Sequence, residues 1–153
     1  MSRPMIVVTE ITPATLSPAL LAIWRDSTGA THHFVSHQHL DEIHALLETL
    51  LPACVPMFVT RGEDGHPCAF MHASEGELHM LFVADRYRGK GHGSALVDHA
   101  IRHLGVTRVT VNEQNAEATA FYRARGFVVT DRQALDDQGR PYPVLRMALA
   151  DPA

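Results

Sequence analysis

Residues 85–101 read DRYRGKGHGSALVDHAI, and the fold turns on how this stretch is read. Gly89, Gly91 and Gly93 alternate with Lys90 and His92, Arg86 and Arg88 stand in front, and an apolar run at helical spacing follows. A helix start leaves backbone N–H groups without partners and carries partial positive charge. Glycines let the chain bend around an anion there and approach it with no Cβ in the way. The loop from Arg88 to Ser94 therefore has the chemistry of a diphosphate cradle, with Arg88 and Lys90 adding charge at its rim. It is not a P-loop, because no GK[ST] closes it, and its glycine spacing does not match the dinucleotide fingerprint.

Working outward, ELHMLFV (77–83) reads as the strand feeding this loop, and VTRVTV (106–111) as the strand after its helix. Upstream, MIVVTEI (5–11) reads as a strand. LSPALLAIWRDS (16–27) follows as a helix with Ser17 as N-cap and Pro18 at its first position, Leu20, Ile23 and Trp24 sharing a face. GATHHFVSHQ (29–38) reads as a loop. HLDEIHALLETLL (39–51) follows as an amphipathic helix presenting Leu40, Ile43, Leu47, Leu50 and Leu51. PMFVTRGEDGHPCAFMH (56–72) gives two strands around the turn GEDG. Downstream, NAEATAFYRAR (115–125) is a helix stopped by Gly126, and FVVTDRQAL (127–135) and PYPVLRMAL (141–149) are the last two strands. The order β-α-α-β-β-β-α-β-α-β-β predicts an α/β (α+β) fold of one domain over residues 1–153. Its central sheet is mixed but mostly antiparallel, with about seven strands and helices on both faces.

Composition narrows the function. The chain has 153 residues, 46% of them hydrophobic, and a net charge of −4, so no basic surface argues for nucleic acid. No apolar run approaches the ~18 residues of a membrane span, and the first residues have no signal-peptide pattern. Cys54 and Cys68 lie in no CxxC or zinc pattern, and two reduced thiols and a cytoplasmic protein are the expectation.

A second motif joins the first. In VNEQNAEATAFYRARGF (111–127), Asn115, Ala118, Phe121, Tyr122, Gly126 and Phe127 fit N-x-x-A-x-x-F-Y-x-x-x-G-F. Together with R-x-x-G-x-G (Arg86, Gly89, Gly91) it resembles the GNAT superfamily of acetyl-CoA-dependent N-acyltransferases, whose element order matches across nearly the whole chain. AIWRDSTGATHHF, VNEQN and GRPYPVL are similar to the bacterial YjaB-like branch.

The resemblance implies acetyl-CoA as co-substrate and transfer of its acetyl group to a primary amine by direct attack in a ternary complex; no metal is expected, because the histidine-rich loop shows no carboxylate or cysteine at standard ligand spacing. It implies that ELHMLFV splays from VTRVTV, with the pantothenate arm in the gap on backbone groups of Leu81, Phe82 and Val83. The diphosphate would sit on Arg88, Gly89, Lys90, Gly91, His92, Gly93 and Ser94, with Asn115 on the cofactor arm and Tyr122 beside the thioester sulfur, able to protonate the leaving thiolate. Taken alone, Tyr122 also reads as a core tyrosine and Asn115 as an N-cap.

A lysine amine, with a pKa of about 10.4, must lose a proton before it attacks. Side chains alternate along a strand, so Glu77 and His79 share a face with Leu81 and Val83, and Glu77, His79 and a water chain all remain candidates for the base. The branch resemblance places Thr31, His32 and Tyr142 at the acceptor pocket. Eleven histidines, with His32, His33, His37, His39 and His44 clustered, leave a metal-binding protein as an alternative, and an acetyl-CoA sensor without turnover is another. The acceptor amine, protein lysine or small molecule, stays open, as does a homodimer.

Overall fold

The computed structural model describes residues 5–31, 36–136 and 139–150. Seven strands form one sheet in the order β1-β2-β3-β4-β5-β7-β6. They are β1 Thr9–Ile11, β2 Met57–Arg61, β3 Pro67–Ser74, β4 Glu77–Val83, β5 Arg108–Asn112, β6 Phe127–Gln133 and β7 Val144–Leu149. Four α-helices intervene: α1 Pro13–Thr31, α2 His37–Leu50, α3 His92–Leu104 and α4 Ala116–Ala124. Every strand pair is antiparallel except β4–β5. The expected fold class and element order hold.

The two faces carry separate cores. Leu20, Ile23 and Trp24 of α1 and Leu40 and Leu47 of α2 pack with Met57, Val59 and Phe70. Leu96, Val97 and Ala100 of α3 and Tyr122 of α4 pack with Ala69, Met71, Leu78, Val109 and Met147 on the other side. Alternation along β2 and β3 divides residues between the faces, as period-two geometry requires. No helix among the described residues is long and apolar enough to cross a membrane.

Several boundaries differ from the sequence reading. β1 is only three residues. α1 begins at Pro13, where a missing N–H costs nothing, so the first-position proline is Pro13 and Pro18 lies inside the helix. The Ser17 hydroxyl accordingly donates back to the Pro13 carbonyl (2.9 Å) instead of capping. α1 also runs through Gly29 to Thr31, into the expected loop. Ser36 caps α2, its hydroxyl accepting from the His39 amide at 3.2 Å. Leu50, expected on the apolar face, is 45% exposed.

Candidate active site

β4 pairs with β3 along its whole length, from Ser74↔Glu77 to Ala69↔Val83. With β5 it pairs only at Glu77↔Arg108 and Leu78↔Val109. Beyond Leu78 the two parallel strands part, and the gap opens into a cavity of about 660 Å³. Leu81, Phe82 and Val83 line one side, Thr110, Val111 and Asn112 the other. Arg88, Gly89, Gly91, His92, Gly93 and Ser94 form its mouth.

A bulge lies where the strands part. Ala73 opposes Leu78 and His72 opposes Met80, so His79 is the extra residue. Such a residue flips the parity of everything after it. Glu77, Met80 and Phe82 therefore face α1 and α2, whereas Leu78, Leu81 and Val83 pack toward α3 and α4. Glu77 and His79 do share a face, with Glu77 Oε2 3.2 Å from His79 Nδ1. Leu81 and Val83 do not join them: plain alternation fails because the bulge consumes one residue.

The cradle has the expected backbone. Gly89 (φ 74°) and Gly91 (φ 97°) occupy left-handed conformations that favour glycine, and Gly91 caps α3 with no side-chain hydrogen bond. Among the described residues, the amides of His92, Gly93 and Ser94 have no acceptor. A Cβ at Gly93 would touch Phe121 at 3.5 Å and Val83 at 3.7 Å, crowding the slot. These groups fit an anionic diphosphate, and the slot behind them fits a narrow chain with amides to bind.

Charges at the mouth are less free than the sequence suggests. Arg88 is paired with Asp85 (3.3 Å) and with Glu117 of α4, across the opening. Arg125 donates to the Ser94 hydroxyl and lies 3.7 Å from Asp98. Lys90 does not border the cavity; its ammonium sits 5.8 Å from the Tyr87 ring centre.

His92 borders the cavity but turns its imidazole inward, with Nδ1 2.8 Å from Thr60 Oγ1 and 3.4 Å from Cys68 Sγ. It is 7% exposed, so its side chain is no rim contact. Burial, and then the Lys90 charge, push its pKa below the ordinary histidine value.

On the far side, Asn115 caps α4, accepting from the Ala118 amide at 3.1 Å, and lines the cavity. The N-cap reading holds, and the same residue borders the cavity. Tyr122 lies on the same helix at the cavity wall, its ring edge-on to Phe121 and Phe127. Burial pushes its phenol far above the ordinary range, so it stays protonated at any physiological pH.

His79 borders the cavity, while Glu77 lies behind it, bound to His79 and 3.5 Å from Arg108. His79 Nε2 is 2.8 Å from Ser74 Oγ. A carboxylate only accepts, so Nδ1 carries the imidazole proton toward Glu77 and Nε2 accepts from Ser74. Tyr142 is buried away from the cavity; its hydroxyl contacts His39 Nδ1 of α2, and the two rings meet edge-on at 5.3 Å. His32 and the Thr31 side chain lie outside the described residues. Among the described residues no three potential metal ligands come together.

Ser27, Asn112, Ala118 and Phe121 also line the cavity, and sequence reasoning did not single them out as site residues. Ala118 and Phe121 stood inside the quoted motif, so a signal existed for them. Ser27 had none, because its place depends on how α1 crosses the sheet.

An acetyltransferase (GNAT) domain matches residues 59–145, and the chain belongs to this family of acetyl-CoA-dependent acyltransferases. It is an N-acetyltransferase by that membership, and acetyl-CoA is its co-substrate. The peptidyl-lysine N-acetyltransferase YjaB of Escherichia coli K12 is 40% identical over 129 residues, covering 84% of this chain and 87% of that one. The solution structure of apo YjaB from Escherichia coli aligns over 96% of this chain and 99% of its own, at 36% identity and a TM-score of 0.88. A PaiA N-acetyltransferase from Thermoplasma acidophilum in complex with coenzyme A shares the fold (TM-score 0.74, 18% identity, 94% and 98% covered).

Proposed function

We propose that the chain is a single-domain peptidyl-lysine N-acetyltransferase over residues 1–153, moving the acetyl group directly to a lysine side chain in a ternary complex. The carrying observation is the opening between β4 and β5, which joins the glycine cradle on one face to His79 on the other. The YjaB relative acts on peptidyl-lysine by its name, which favours a protein acceptor over a small amine.

Bound acetyl-CoA supplies an activated acyl group. The amides of residues 89–94 hold the diphosphate; the Arg88 amide, expected among them, already donates to the Asp85 carbonyl at 3.1 Å, and Lys90 adds charge nearby but does not border the slot. Backbone groups of Leu81, Phe82 and Val83 hold the pantothenate arm, which β5 leaves unpaired, and Asn115 closes over it. The lysine arrives on the face of α1 and α2. There it displaces the Ser74 hydroxyl from Nε2 of His79, which takes the amine proton. Glu77 fixes the tautomer that leaves Nε2 free to accept. Tyr122 donates to the departing thiolate, a role that needs a phenol still carrying its proton, and its buried position guarantees one.

The test pairs binding with turnover. A melt with acetyl-CoA reports the cradle, and thiol release with a lysine peptide, an N-terminal amine peptide and spermidine reports the acceptor. Transfer to the lysine peptide above both others supports the reading. Binding with no transfer to any amine makes the chain a sensor and ends it.

A further inference from the structure

The contacts around His79 describe more than an oriented base. Ser74 Oγ lies 2.8 Å from Nε2, and Glu77 Oε2 lies 3.2 Å from Nδ1. Hydroxyl to one ring nitrogen and carboxylate to the other is the geometry by which an imidazole activates a serine. All three residues belong to the β3–β4 hairpin, so one tight turn fixes their spacing. The turn leaves the amides of Glu75, directly after Ser74, and of Gly76 without acceptors among the described residues. Arg108 steadies the arrangement, donating to the Glu75 carbonyl at 2.7 Å and lying 3.5 Å from Glu77. His79 keeps 35% of its side chain exposed, so water reaches it.

We propose that Ser74, His79 and Glu77 form a nucleophilic triad that hydrolyses small, solvent-borne acyl esters, a second activity separate from amine acetylation. Ser74 Oγ attacks the ester carbonyl while its proton passes to His79 Nε2. The new C–O bond to Ser74 forms, the bond to the leaving oxygen breaks, and that oxygen takes the proton from His79. Water then attacks acetyl-Ser74, giving its proton to the same nitrogen. Ser74 recovers that proton as acetic acid departs and ionises in solvent. No oxidant, metal or cofactor enters the balance. The turn amides of Glu75 and Gly76 stand beside the nucleophile as donors for the carbonyl oxygen. Small esters are the substrate class because the hairpin is open to solvent.

p-Nitrophenyl acetate without acetyl-CoA is the probe, which keeps this test independent of the transferase reading. Eleven histidines hydrolyse such esters unaided, so wild type is compared with Ser74→Ala, which retains all of them. We expect at least a tenfold lower rate in Ser74→Ala, a similar loss in His79→Gln, and the mass of one acetyl group on the Ser74 peptide after rapid acid quench. Equal rates in wild type and Ser74→Ala overturn the proposal, as does label absent from Ser74. Should Ser74→Ala fail to melt like wild type, the label on the wild-type protein decides: an acetyl group on Ser74 upholds the triad and its absence overturns it.

Discussion

β4 has two neighbours and treats them differently. With β3 it keeps its pairing to the end, interrupted only by the bulge at His79. With β5 it stops after two residues. The paired flank holds buried residues such as Leu78 and Met71 and belongs to the core. The open flank is an expense in stability, because its amides forgo strand partners, and those amides are what a bound ligand can use. Stability and function thus occupy opposite edges of one strand, and the bulge marks the change.

The largest expected effect on function breaks the open side. Gly91→Glu places a strained side chain and a negative charge in the cradle, at φ 97°. Wild type at a hundredfold excess of acetyl-CoA over its Kd gains about 2.7 kcal/mol. The variant should fold and gain nothing in the same melt. A normal shift would remove the cradle from the diphosphate site.

The next experiment sets the flanks against each other. Leu78→Ala, on the paired stretch and 2% exposed, should cost about 2–5 kcal/mol in urea unfolding. Val83→Ala, at the slot, should cost less stability and instead raise KM for acetyl-CoA. Equal destabilisation would mean that the slot is packed as core.

Tyr122→Phe sharpens the chemistry of the slot. It removes only the hydroxyl, so kcat should fall about 100-fold with KM for acetyl-CoA little changed. An unchanged kcat eliminates Tyr122 as the acid.

The smallest effect concerns His92. Its pKa is depressed in the folded protein, so the unfolded chain binds the proton more readily. The sign follows: His92 contributes stability above the ordinary histidine pKa of about 6.5, and that contribution is lost as pH falls below it. His99, lowered by burial and by His103, acts in the same direction. His92→Asn should flatten part of the fall in melting temperature between pH 7 and pH 5, read in scans across that range.

Much of the site was legible in the sequence because its signals are local. Gly89 and Gly91 announced a chain able to bend, and both adopt left-handed backbone; Asn115 announced a helix cap and makes one. The misreadings share another cause. Ser17 looked like a cap until the helix was seen to start four residues earlier. Leu81 and Val83 looked like face-mates of Glu77, but alternation carries no sign of a bulge. His92 read as part of the diphosphate cradle, and contacts with Thr60 and Cys68 from other strands draw its side chain inward.

By itself, the sequence determined the element order, the glycine cradle and the family, because those depend on backbone preferences and spacings within a few residues. Tertiary structure alone decided where β4 leaves β5, which face each side chain takes after the bulge, and that Ser74, His79 and Glu77 meet. Those outcomes are set by pairing register between strands. Register is a competition among long-range contacts, and no short window of residues contains it.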